Sequence, residues 1–284
     1  MATQTRDIYL TANGIRHHVI ARGDQERPIV MMIHGLTQQA HVFDDIAAVL
    51  AEDYHVYSLD VRGRGESEWG KPNGYHFANY VEDLEAVREG LGIPSFALVG
   101  TSMGGLISMH YGAKYPRHVS AIAMNDIGPD IDPSGLHRIL SMAAEAPEAF
   151  QDLRTVASYY RRENAPVLAK RSDDEVIEYA RWHVRKNDLG VYVWKMDPAV
   201  RERREPDVSQ PDPWESFRAL ACPLLVLRGA DSDILTPPIV DKMREAQPDA
   251  QLVEVPGVGH APSLMEPEAK EPLRRFLAGV LGTR

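Results

Sequence analysis

The sequence predicts an α/β protein whose central sheet is mostly parallel, with helices on both faces and a helical insertion late in the chain. Three observations predict it. Short, unbroken apolar runs alternate with amphipathic helical patterns over most of the length. The 284 residues are 44% hydrophobic and 25% charged, the balance of a folded globular chain able to bury a large core. Between about 130 and 215 the alternation stops, and helical periodicity continues without a convincing buried strand.

The elements follow in order. Ile8–Leu10 and Ile15–Ile20 flank Asn13-Gly14, a pair that tolerates the two positive φ values of a type I′ hairpin. Ile29–Ile33 is apolar throughout and ends in His34-Gly35, as suits a strand covered on both faces. Val42–Leu50 keeps Phe43, Ile46, Ala47 and Leu50 on one helical face. His55–Leu59 reads as a strand, Tyr80–Leu91 as a helix and Phe96–Val99 as a strand. Met103–Tyr115 is a helix stopped by Pro116, and Val119–Met124 a further strand. Leu136–Ala144, Pro147–Tyr160 and Asp173–Lys186 are the clearest helices of the insertion, whose 13 basic and 17 acidic residues make it no basic arm. Pro223–Leu227, Pro238–Ala246, Leu252–Val255 and Glu268–Leu281 complete the strand–helix rhythm. The expected division is a core of 1–129 and 216–284, with 130–215 as the insertion.

Charge and missing motifs exclude several functions. A net charge of −10 opposes a nucleic-acid binder, which needs a basic footprint. Cys222 is the only cysteine, so no internal disulfide can form. The first residues lack a basic flank followed by an apolar stretch, and no apolar run approaches the roughly 20 residues of a membrane span. The expectation is a cytoplasmic protein acting on a small molecule, without nucleic-acid or membrane partners. No phosphate loop, dinucleotide fingerprint, H-E-x-x-H or Cys/His cluster occurs, so catalysis is expected to need neither cofactor nor metal.

The chemistry concentrates in Gly100-Thr101-Ser102-Met103-Gly104-Gly105, a G-x-S-x-G pattern between a predicted strand and a predicted helix. A strand-to-helix turn this tight projects the Ser102 hydroxyl above the sheet, with a helix N-terminus behind it to favour developing negative charge. A serine hydroxyl is a weak nucleophile and needs a base, which in turn needs an orienting group. Gly257-Val258-Gly259-His260 supplies a histidine just after the last strand. The loop Gly229-Ala230-Asp231-Ser232-Asp233 supplies two acids between serine and histidine.

With these motifs the chain resembles the α/β-hydrolase superfamily nearly end to end, including His34-Gly35 and Asp60-Val61-Arg62-Gly63-Arg64-Gly65-Glu66-Ser67. The resemblance implies Ser102 as nucleophile, His260 as general base and acid, and Asp233 as the orienting acid. It also implies an oxyanion hole from the backbone N–H groups of Leu36 and Met103, and a cap formed by the insertion. Asp233 precedes Pro237 by four residues, the spacing such loops often keep. One extra residue after Gly229 leaves Asp231 as the runner-up, and Asp126 is a third candidate because some relatives place the acid there.

Other residues carry two readings each. His34 either tunes the oxyanion loop from the substrate pocket or braces its turn. Arg62 and Arg64 either bind a substrate carboxylate or tie loops together in surface ion pairs. Trp182, His183 and Trp194 line the inner face of the cap or form its core, and His17-His18 is expected to be exposed. The reading favoured is a serine hydrolase of a small carboxylic ester, lactone or related acyl compound. The alternatives are a carbon–carbon hydrolase of a vinylogous diketone or dienoate, and a ligand receptor with little turnover.

Overall fold

Asn13 (φ 50°) and Gly14 (φ 71°) take the two positive φ values of the hairpin turn, pairing β1 (Thr5–Ala12) with β2 (Ile15–Arg22) antiparallel. The structure, a computed structural model, describes residues 5–163, 168, 171–201 and 212–282. Beyond the hairpin come β3 (Ile29–Ile33), α1 (Asp44–Leu50), β4 (His55–Asp60), α2 (Phe77–Gly90), β5 (Phe96–Thr101), α3 (Met103–Lys114) and β6 (Val119–Asn125). The insertion carries α4 (Pro133–Glu145), β7 (Ala149–Phe150), α5 (Leu153–Glu163), α6 (Asp173–Arg181), β8 (Val184–Lys186) and β9 (Tyr192–Trp194). The chain closes with α7 (Pro213–Arg218), β10 (Leu224–Gly229), α8 (Pro237–Ala246), β11 (Gln251–Val255) and α9 (Pro267–Leu281).

Eight strands form one sheet in the order β1-β2-β4-β3-β5-β6-β10-β11, parallel from β4 onward. Because successive strand residues point to opposite faces, each apolar run feeds two cores. Met31, Ile33, Leu98, Ile122 and Val226 meet α2, α3 and α8 on one face. Val30, Met32, Val99, Ala123 and Leu227 meet α1 and α9 on the other. The fully apolar sequence of β3 is the mark of this double coverage.

The insertion departs from its all-helical expectation. Three short antiparallel strands, β7, β9 and β8, form a second sheet. The helix expected over 173–186 ends at Arg181. Asn187 then accepts hydrogen bonds from Leu189 N–H and Val191 N–H, Gly190 sits at φ 80°, and the chain turns into a hairpin. The helix expected from Pro147 starts only at Leu153, after Asp152 accepts from the Thr155 N–H.

Two further expectations are corrected. His17 and His18 are buried, not exposed. β1 flanks β2 on its outer side. His17 lies 3.8 Å from Asp83 of α2, and His18 sits between Asp60 (2.7 Å) and Asp7 (3.0 Å). Arg62 and Arg64 are buried as well. Arg62 holds Asp83 with two guanidinium nitrogens, a pair to which Asn13 adds a hydrogen bond of 2.8 Å.

Candidate active site

The turn after β5 places Ser102 at φ 52° and ψ −118°, a conformation that costs a non-glycine residue on the order of 1–3 kcal/mol. The glycines around it permit the crossing. A Cβ on Gly100 would lie 2.3 Å from Gly104 O, and one on Gly104 would lie 2.0 Å from Ile33 O. Ser102 therefore caps α3 with its backbone locked and its side chain free for chemistry.

The Ser102 hydroxyl donates to His260 Nε2 at 2.9 Å, and His260 Nδ1–H donates to Asp126 Oδ2 at 2.7 Å. Ser102, His260 and Asp126 are thus in continuous hydrogen-bond contact, with the His260 side chain 9% exposed and that of Asp126 fully buried. Asn125 steadies the arrangement: its side-chain amide donates to Thr101 Oγ1 and to Pro262 O, tying the end of β5 to the histidine loop.

The acid is the principal correction to the sequence reading. Asp233 does not reach His260. Its carboxylate is chelated by Arg138 of α4 at 2.6 and 2.7 Å, on a partly exposed edge. Asp231 is exposed. The extra residue after Gly229 explains the outcome, because it brings Ser232 rather than an acid to the inward position. Ser232 Oγ–H donates to Asp126 Oδ2 at 2.6 Å while its oxygen accepts from the N–H groups of Ile234 and Leu235. The other Asp126 oxygen accepts from Gly229 N–H at 2.8 Å. Asp126, at the end of β6 with φ 55°, is built into a three-donor cradle. Ser232 and Asn125 escaped the sequence reading. The signal for Ser232 was its place three residues after Gly229, where the loop pattern calls for the acid.

The turn after β3 lies against the serine. A Cβ on Gly35 would sit 3.5 Å from Ser102 Cβ, and Gly35 N–H donates to Gln38 Oε1 at 3.0 Å. Among the described residues the Leu36 N–H has no hydrogen-bond partner. Met103 N–H heads α3, where the first amides of a helix have no partner within it. Arg64, fully buried, donates to Leu36 O at 3.2 Å and reaches Met103 Sδ at 3.3 Å. It therefore clamps the two segments that carry these amides.

His34 braces the turn and does not line the cleft. Its Nδ1–H donates to Gly35 O at 2.8 Å, and its Nε2 accepts from Val61 N–H at 3.0 Å. Trp182 lines the cleft and stacks on His41 with centroids 3.6 Å apart. Trp194 packs in the core of the insertion with Phe150, Tyr159 and Tyr160 and also lines a smaller cavity beside the cleft, while His183 is buried beside Tyr160 and Tyr179. The cleft encloses about 370 Å³ between the sheet and the insertion and includes Ser102, His260, Leu36, Met142 and Trp182. No metal-holding group of three or more ligands occurs among the described residues.

The buried histidines make stability depend on pH. Burial pushes His34 and His183 down to about 4, and it also lowers His17, His55 and His110. Each of these binds fewer protons folded than unfolded, so its contribution is complete above the ordinary histidine value and is lost as pH falls toward 4. His18 opposes them. Burial draws it down, but the hydrogen bonds and charges of Asp60 and Asp7 outweigh that and raise it, so its contribution is lost as pH rises. Five against one, the balance favours acid lability, with His34 alone worth about 3 kcal/mol. Urea unfolding midpoints should fall steadily from pH 7 to 4.5, and a flat profile would contradict the burial argument.

Comparisons with known proteins bear on the family and the fold. The sequence model of the α/β hydrolase fold matches residues 28–267. The 3-hydroxybutyrate-oligomer hydrolase of Cupriavidus necator is 33% identical over 273 residues, covering 90% of this chain and 91% of that protein. The crystal structure of an α/β hydrolase from Novosphingobium aromaticivorans superposes with a TM-score of 0.85 at 36% identity, covering 98% of this chain and 99% of the other. The structure of E-2-(acetamidomethylene)succinate hydrolase, at 22% identity and a TM-score of 0.83 over 98% of this chain and 99% of the other, is alike in fold. With the family match spanning most of its length and relatives that are themselves hydrolases, the chain belongs to the α/β-hydrolase family and is a hydrolase.

Proposed function

We propose that the protein is a serine hydrolase that cleaves a carboxylic ester through an acyl-enzyme on Ser102. The observation that carries this reading is the unbroken contact from Ser102 through His260 to Asp126. His260 Nε2 takes the hydroxyl proton as Ser102 Oγ bonds to the ester carbonyl carbon, and Asp126 fixes the tautomer that leaves Nε2 free to do so. The Leu36 and Met103 amides receive the negative charge that develops on the carbonyl oxygen. Collapse breaks the carbon–oxygen bond to the alcohol, which leaves with the proton carried by His260. Water then attacks the acyl-enzyme with His260 as base, and Ser102 recovers its proton as the carboxylic acid departs.

Residues 130–215 act in this reading as the cap over the cleft, with 1–129 and 216–284 as the core. Trp182 covers the reacting centre from the cap side. The cleft of about 370 Å³ suits a small substrate. The similarity to a protein named for 3-hydroxybutyrate oligomers makes a short hydroxyacid oligoester the substrate class to test first.

A panel of p-nitrophenyl esters from acetate to octanoate, run beside a ring-cleavage dienoate, tests the reaction. Turnover of a short ester is expected, with a burst of p-nitrophenol approaching the enzyme concentration where deacylation is slow. Hydrolysis of the dienoate alone would replace this reading with carbon–carbon cleavage. Tight ester binding without turnover would replace it with a receptor.

A further inference from the structure

A second, smaller cavity of about 70 Å³ opens behind the catalytic cleft. The two share Thr37, Gln38, Met142, Glu163 and Tyr179 as walls, so the second cavity adjoins the space above Ser102. Its lining includes Arg201, which follows the turn Pro198–Val200. Arg201 stacks its guanidinium over the Trp194 ring at 5.2 Å, and its buried Nε has no hydrogen-bond partner. No carboxylate pairs with it among the described residues, unlike Arg138 with Asp233, Arg171 with Asp45 or Arg62 with Asp83. Glu163 lines the cavity but is paired with Arg162 at 2.7 Å, and Glu148 acts on Arg201 through its charge without an ion pair. Tyr159 and Tyr160 line the same space, and both phenols stay protonated because burial raises them. A partly buried guanidinium with an unmet donor favours an acceptor there, since an unpartnered buried polar group costs on the order of 1–3 kcal/mol, and an anionic acceptor answers its charge as well.

We propose that Arg201 and this side cavity form a subsite for a carboxylate carried by the substrate, so that the preferred ester is an anionic one whose free acid end lies remote from the scissile carbonyl. The cavity has room for that group, because a water-sized group takes roughly 30 Å³ of liquid volume. The planar guanidinium can grip both carboxylate oxygens, and the aromatic walls cover the chain leading to it. This assignment rests on the ester-hydrolase reading and gives it a substrate class: hydroxyacid oligoesters that end in a free carboxylate. A neutral ester of the same length would leave the Arg201 guanidinium unpaired and bind less well.

The test compares the linear dimer of 3-hydroxybutyrate with its methyl ester, as kcat/KM for the intact enzyme and as binding to the Ser102→Ala protein. The acid should be preferred about 10-fold or more in both readouts, as a charge-assisted pair predicts. In Arg201→Gln the preference should fall to about 2-fold or less, and Arg201→Lys, which keeps the charge without the fork, should retain part of it. Thermal melts of both variants identify loss of fold, in which case the lysine variant alone decides. Equal treatment of acid and methyl ester by the intact enzyme, or a preference that survives Arg201→Gln, would overturn the subsite. Ester turnover without acid preference leaves the hydrolase reading standing and removes the subsite. Acid-selective binding without turnover of any ester does the reverse.

Discussion

Replacing Ser102 by alanine should lower kcat on the order of 10⁵-fold or more and abolish covalent labelling by an organophosphonate, with the fold retained. The magnitude follows from how the residues act. In the proposed mechanism Ser102, His260 and Asp126 act as one hydrogen-bonded unit, so removing the nucleophile should cost nearly as much as removing all three. The residual rate expected under that mechanism comes from substrate binding and the proposed oxyanion amides of Leu36 and Met103, which the substitution leaves in place. A second readout separates chemistry from architecture. Ser102 sits at φ 52° with its backbone fixed by the close approach of Gly104 to Ile33 O, and alanine inherits that strain while glycine relieves it. Ser102→Gly should therefore be as inactive as Ser102→Ala yet unfold at a higher temperature. Undiminished phosphonate labelling of the alanine protein would remove Ser102 from its assigned role.

The parts of this protein that could be read from the sequence are those whose local pattern and global environment agree. Ile29–Ile33 is apolar at every position because α1 and α9 cover one face and α2 and α3 the other. The G-x-S-x-G turn is legible because its glycines answer to contacts only a few residues away. The failures arise where distant segments decide. β7, β8 and β9 hold two or three residues each, too few for a period-two pattern, and their pairing depends on the Asn187–Gly190 turn and on Trp194 packing beneath α5. His17 and His18 appear polar in isolation but lie under Asp83 and Asp60, carboxylates contributed 66 and 42 positions later. The same limit governs the acid. Spacing to Pro237 selects Asp233, but the inward side chain of that loop is set by where Gly229 leaves β10, and Arg138 from the insertion claims the carboxylate that remains outside.

That competition between acids yields the second large effect. Asp126→Asn should reduce kcat about 10⁴-fold, because an amide facing His260 Nδ1 stabilises the tautomer whose Nε2 carries a proton and cannot accept one from Ser102. Asp233→Asn should leave kcat within about 3-fold of the parent, since it loses only a solvent-facing pair with Arg138, the kind worth about 0–1 kcal/mol. The opposite ranking would restore Asp233 as the orienting acid. Ser232 allows a stricter test. Its hydroxyl already lies 2.6 Å from the Asp126 oxygen that receives His260, so a carboxylate introduced there reaches the same imidazole from the neighbouring strand end. Ser232→Asp alone sets two carboxylates side by side, which should cost stability and raise the pKa of one of them. Combined with Asp126→Asn the repulsion disappears. The amide oxygen at 126 can still accept from Gly229 N–H, its NH₂ can donate to the new acid, and the new acid can accept from His260 Nδ1. The double variant should regain about 10²-fold over Asp126→Asn, measured as kcat on the same ester. A double variant no faster than Asp126→Asn would mean that the strand-end geometry at Asp126, and not merely a carboxylate within reach, is what holds His260 in register with Ser102.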